Sequence, residues 1–157
     1  MVYRGHVENG VVCLEDSPML PEGAEVEVRL IAEAASRPWL PFVRKQLRAI
    51  EGLPDGWDSH GAPRPDARLV RAGQALIERL AALADVPQPY VNPTRSGGVQ
   101  FEWEAGDRYF ELEVVAQRAA EYLYCDGTAR VQDTGKVLEG ESLEPIVAYI
   151  RKVGVLP

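Results

Sequence analysis

The stretch GGVQFEWEAGDRYFELEVVAQRAAEYLYCD (Gly97–Asp126) decides the fold. Val99, Phe101 and Trp103 alternate with Gln100, Glu102 and Glu104. Phe110, Leu112 and Val114 then alternate with Tyr109, Glu111 and Glu113. Leu123 and Cys125 alternate with Tyr122, Tyr124 and Asp126. A period of two marks strands with one buried face, and the breaks between the runs are short enough for hairpins. The pattern predicts an antiparallel meander whose apolar face is covered by helices. On the other face it places Gln100, Glu102, Glu104, Glu111, Glu113, Tyr122 and Tyr124. The alternative for that face is a solvated surface without a ligand.

The helices lie on either side of this stretch. Leu40, Val43, Leu47 and Ile50 stand at helical spacing and predict a helix over 40–51, ended by Gly52 and Pro54. Its other face carries Arg44, Lys45 and Arg48, a solvated face or a contact for RNA or an acidic partner surface. A second helix is predicted from Asp66 to about Ala84, with a stripe of Leu69, Ala72, Leu76, Leu80 and Leu83. Tyr90–Thr94 reads as an edge strand that tolerates Pro93, and Ala129–Gln132 as a weaker strand. Ser142 is expected to cap a final helix carrying Leu143, Ile146, Val147, Ile150 and Val153.

The first thirty residues form a separate β pattern. Tyr3–Val7 and Val11–Leu14 flank Glu8-Asn9-Gly10, and Asn-Gly between β-rich runs is a strong hairpin signal. A turn at Leu20-Pro21-Glu22-Gly23 leads to a third alternating run, Glu25–Leu30. The whole is therefore α+β: a small N-terminal β unit (1–34), then a domain over 38–157 of two helices, a three- to four-stranded antiparallel meander and a C-terminal helix.

Composition narrows the function. The 157 residues suffice for one domain with a small appendage, able to bury a core without metal or disulfide help. No apolar run approaches the roughly 20 residues of a membrane span, and the N-terminus lacks a signal-peptide pattern, so a cytoplasmic location is expected. Cys13 and Cys125 read as buried reduced thiols. With only His6 and His60 beside them, no metal site is expected. Seventeen basic and 24 acidic residues give a net charge of −7. This disfavours nucleic acid as the main ligand and suits a basic partner, although the same charge also serves solubility.

Gly5, Val7, Asn9, Gly10, Val12, Leu14, Leu20, Pro21, Glu22, Gly23, Val26 and Val28 match the pattern G-x-V-x-N-G-x-(I/V)-x-L … L-P-E-G-x-x-V-x-V. In this the chain resembles a family of small bacterial and archaeal proteins described as antitoxin-like. The match covers about a fifth of the chain, and members of that family are typically short. The resemblance implies a protein that accompanies a ribonuclease toxin of the PIN-domain type. A second stretch, Leu53-Pro54-Asp55-Gly56-Trp57-Asp58-Ser59-His60-Gly61-Ala62, resembles uncharacterised bacterial proteins with an L-P-x-G-W-D-x-x-G-A pattern followed by G-G-V-x-F-E-W. That resemblance spans residues 47–150 and implies no activity.

Trp57, Asp58 and His60 are the candidate loop site. An Asp and a His two apart, near Ser59 or Cys125, can be written as a triad, but no nucleophile elbow or oxyanion pattern accompanies them. The structural alternative has Trp57 filling the gap between two helices and Asp58 bonding the backbone of the following turn. No catalytic residue, cofactor or metal is assigned. The function expected is that of a non-enzymatic, antitoxin-like protein that binds and neutralises a cognate toxin. Glu102, Glu104, Glu111, Glu113, Tyr122 and Tyr124 are its partner-binding residues, and strand edges offer a route to a homodimer. The alternatives are a small hydrolase or nuclease built on the Trp57–His60 loop, or a phage- or defence-linked adaptor.

Overall fold

The computed structural model describes residues 5–8, 11–14, 21, 23, 37–83 and 86–154. The chain divides into two compact units, 1–31 and 32–157. In the first, β1 (Gly5–Glu8) and β2 (Val11–Leu14) pair antiparallel with Glu8 opposite Val11. The register leaves two residues for the connection, as the Asn-Gly signal requires. Asn9, Gly10 and the expected third strand at 25–30 lie outside the described residues.

The second unit is a two-layer α+β sandwich. Its helices are α1 (Leu40–Glu51), α2 (Ala67–Leu83) and α3 (Glu144–Val153). Its sheet has five antiparallel strands in sequence order: β3 (Tyr90–Pro93), β4 (Val99–Ala105), β5 (Arg108–Ala116), β6 (Ala119–Asp126) and β7 (Val131–Leu138). Both weakly patterned strands are full members of the meander. β7 starts and ends later than its expected span because Val131, Asp133, Gly135 and Val137 share one face but only Val137 is buried, so the apolar alternation is missing.

All three helices pack on one face of the sheet. Val43, Leu47 and Ile50 of α1 and Ile146, Val147, Ile150 and Val153 of α3 meet Val99, Phe101, Trp103, Phe110, Leu112 and Val114, all at most 6% exposed. Trp103 is 1% exposed, and its indole Nε1 donates to the Pro87 carbonyl at 2.9 Å, so the largest core side chain leaves no polar atom unpaired. The buried line of α2 is Val70, Gly73, Leu76, Ile77, Leu80 and Ala81. This corrects the expected stripe: Leu83 is 45% exposed and Leu69 only partly buried, because the helix turns its Gly73 side to β4. There a Cβ would stand 2.5 Å from Val99 Cγ2. The cap of α3 also differs. Leu143 holds the N-cap position without a side-chain bond, while Ser142 Oγ accepts from Glu144 N at 3.3 Å.

Gly98 shows how tightly the sheet is closed at the β3–β4 turn. Its N–H donates to Thr94 Oγ1 at 3.0 Å, and a Cβ there would run into the Val114 carbonyl oxygen of β5. Backbone cannot yield as a side chain end can. Gly98→Ala is therefore expected to lose about 1–3 kcal/mol of stability, read from the midpoint of a denaturant titration.

Candidate functional site

Register determines which side chains share the uncovered face. Residues directly opposite in an antiparallel pair lie on the same side of the sheet. Asn92, Gln100, Glu113, Glu121 and Lys136 form one row across the five strands. Tyr90, Glu102, Glu111, Leu123 and Thr134 form the next, followed by Glu104, Tyr109, Cys125 and Gln132. Among the described residues, five glutamates thus stand on this face against one lysine; Glu104 and Glu121 are exposed, and Glu102, Glu111 and Glu113 half-buried. An open depression of about 380 Å³ is lined by Glu111, Glu113, Glu121, Tyr122, Thr134, Gly135 and Lys136.

The same register corrects one expectation. Tyr122 is opposite Leu112 and Tyr124 opposite Phe110, so both tyrosines lie on the helix-covered face. They join Phe110 and Tyr149 of α3 in an aromatic cluster, with Tyr124 and Tyr149 centroids 5.2 Å apart and Lys152 Nζ 4.8 Å from the Tyr149 ring. Tyr149 OH donates to Asp133 Oδ2, and this bond together with burial holds the phenol well above its usual range. Leu123 and Cys125, the residues that look apolar, are half-buried on the acidic face instead. Both cysteines are free and only half-buried. The tyrosines on the acidic face are Tyr90, 66% exposed, and Tyr109.

The glutamates are held mainly by neutral donors. Gln100 Nε2 donates to Glu102 Oε1 and, at 3.5 Å, to Glu111 Oε2. Asn92 Nδ2 reaches Glu102 Oε1 at 3.1 Å, Tyr109 OH reaches Glu111 Oε2 at 2.5 Å, and Ser96 Oγ reaches Glu113 Oε1 at 2.8 Å. Desolvation first, and the Glu111 carboxylate second, raise the Tyr109 phenol far above its ordinary value, so it remains a donor. Among the described residues, Glu121 alone of the five has a cation, Lys136 Nζ at 3.3 Å. Among the described residues no Lys or Arg forms an ion pair with Glu102, Glu104, Glu111 or Glu113. Glu102 faces Glu111, and Glu113 faces Glu121, directly across neighbouring strands. Like charges so opposed are destabilising.

The helix layer is different. Arg44 pairs with Glu78 at 2.8 Å, Arg68 with Asp66 at 2.7 Å and Arg71 with Glu51 at 3.7 Å. Of the expected basic cluster on α1, Arg44 is thus engaged within the fold.

The Trp57–His60 loop closes on itself. Asp58 Oδ1 accepts from His60 N at 2.8 Å and Ala62 N at 3.0 Å, and Oδ2 accepts from Arg95 Nε at 2.9 Å. The carboxylate therefore binds the backbone of His60 and not its ring, whose Nδ1 lies 2.6 Å from the Asp58 carbonyl oxygen. Trp57 is half-buried and outside the core cluster, its Nε1 donating to Pro63 O at 3.1 Å; the tryptophans that pack on the core are Trp39 and Trp103. Asp58 serves as a clamp between the loop and the β3–β4 turn.

The two backbone donors, with Arg95, lower the Asp58 carboxyl to about 2 from an ordinary 3.8. Asp66, bonded to the side chain and backbone of Arg68, is also lowered to about 2. A carboxyl more acidic in the folded chain than in the unfolded one adds stability above its unfolded value. That contribution is complete above 3.8 and drains as pH falls toward 2. Asp58→Ala is expected to lower the thermal midpoint by several degrees at pH 7 and to flatten its fall between these pH values. His60→Ala is expected to leave it nearly unchanged. Melts of both variants between pH 2 and 7 check this.

No group of three or more His, Cys, Asp or Glu side chains among the described residues is arranged to hold a metal ion, and no described helix is long and apolar enough to cross a membrane. Comparison with family models, with curated proteins and with solved structures finds no match to this chain.

Proposed function

We propose that the chain is a non-enzymatic binding protein of antitoxin type, and that the open sheet face receives a basic protein partner. The observation that supports this most is the set of four glutamates, Glu102, Glu104, Glu111 and Glu113, without a cation among the described residues. Two cross-strand glutamate pairs cost folding stability, each about 0.2–1 kcal/mol. Guanidinium or ammonium groups from a partner would relieve that repulsion while forming charge-assisted bonds. Neutral donors hold one oxygen each of Glu102, Glu111 and Glu113, so the carboxylates are oriented before binding. A net charge of −7 would speed encounter with a basic protein. Tyr90 and Tyr109 add aromatic contact area at low entropic cost. The N-terminal resemblance supplies the partner class, a ribonuclease toxin.

The test is affinity purification of tagged full-length chain from its native cells, beside a chain carrying Glu102→Gln, Glu111→Gln and Glu113→Gln. The expected result is one stoichiometric, basic ribonuclease-like protein on the wild type and its absence from the variant. The purified chain should inhibit that ribonuclease. A wild type that emerges alone, or a partner retained equally by the variant, contradicts the proposal.

A further inference from the structure

We propose that two copies of this chain join edge to edge through β7, antiparallel, with Thr134 on the two-fold axis, so that two five-stranded sheets become one of ten strands. Among the described residues no strand pairs beyond β7. An open edge of this kind invites pairing unless it is short, interrupted or covered. The opposite edge, β3, is four residues long, ends in Pro93 and packs beside α1. β7 runs for eight residues without proline, in unbroken register with β6, and six of its residues are exposed.

A two-fold axis perpendicular to a sheet preserves faces, so paired residues must lie on the same side and their numbers must sum to an even total. Centring on Thr134 sets Thr134 against its copy, Gln132 against Lys136, Asp133 against Gly135 and Val131 against Val137. No like charges stand directly opposite. Val131, 48% exposed in the single chain, gains an apolar neighbour twice over, and a threonine pair is favourable. Centring on Asp133 opposes two aspartates. Centring on Gly135 sets Asp133 against Val137 and leaves Val131 facing Glu139. The Thr134 register is the self-complementary one.

Charge permits the join. β7 contributes Gln132, Thr134 and Lys136 to the outer face and no carboxylate. The glutamates of the two copies would be separated by two strands whose charges on that face are two lysines. This inference concerns the edge and holds whether or not the face binds a basic partner.

Sedimentation equilibrium of the full-length chain at roughly 100 μM, a concentration suited to micromolar dissociation constants, is the first readout. The wild type is expected to be a dimer and Thr134→Lys a monomer with the same circular dichroism, the two thermal midpoints coinciding only at concentrations low enough to dissociate the dimer. In a Cys13→Ser, Cys125→Ser background, T134C is expected to form an interchain disulfide on mild oxidation, and Q132C alone is not. A monomeric wild type, a dimer that Thr134→Lys leaves intact, or a T134C chain that does not crosslink each overturns the proposal.

Discussion

Conversion of Glu102, Glu111 and Glu113 together to glutamine is expected to weaken partner binding by about a hundredfold or more while making the free chain more stable. Removing three of the cationic partner's counter-charges accounts for the loss. The gain in stability follows from the strand register, because the substitutions end the opposition of Glu102 to Glu111 and of Glu113 to Glu121. Two such pairs at about 0.2–1 kcal/mol each raise the midpoint by about 1–8 °C for a domain of this size. Glutamine retains the carbonyl oxygen that accepts from Asn92, Tyr109 or Ser96, so the neutral bonds survive. Opposite signs for the two effects separate a binding surface from a structural one. Surface plasmon resonance against the purified partner and a calorimetric melt of the free chain measure them.

Trp103→Ala is expected to cost about 3–5 kcal/mol, the range for removing a large buried aromatic. That is a large part of the 5–15 kcal/mol typical of a folded domain. The indole is 1% exposed, packs 5.9 Å from the Phe110 ring and bonds the Pro87 carbonyl. Its removal leaves both a cavity and an unpaired buried carbonyl, and the segment after α2 loses its anchor to β4. Trp103→Phe, which fills most of the space but leaves Pro87 O without its donor, should lose less. Urea titrations of both variants give the comparison. An alanine variant within about 1 kcal/mol of wild type would contradict the core described here.

The fold was legible wherever apolar periodicity was strong. β4 and β5 each bury one full face, and their alternation carried the assignment of the sheet and of its acidic side. β6 misled because its residues do not sort by polarity: Tyr122 and Tyr124 pack against α3, while Leu123 and Cys125 face outward. Tyrosine is amphipathic, and period two alone cannot say which phase of such a strand is inside. Only the pairing of Phe110 with Tyr124 fixes it. β7 is only partly legible because an edge strand needs no buried alternation, and the buried line of α2 follows from Gly73 meeting Val99.

The candidate site was legible in the same uneven way. Four of its glutamates, Glu102, Glu104, Glu111 and Glu113, follow from strand phase. The fifth, Glu121, follows only from the register of β5 with β6. The neutral donors Asn92 and Ser96 come from segments whose distance in sequence hides their contact. The role of Asp58 as a backbone clamp was foreseeable from the Gly- and Pro-rich loop; its ion pair with Arg95, 37 residues away, was not.

Carboxylate footprinting of the chain with and without its purified partner tests the central claim most directly. Carbodiimide-driven amidation labels exposed carboxylates, and mass spectrometry locates each label. Labelling at Glu102, Glu104, Glu111 and Glu113 should fall sharply in the complex, while Asp55 and Glu139, whose side chains are 70% and 57% exposed, remain labelled as before. Unchanged labelling of the sheet glutamates, with protection appearing elsewhere, would contradict the account.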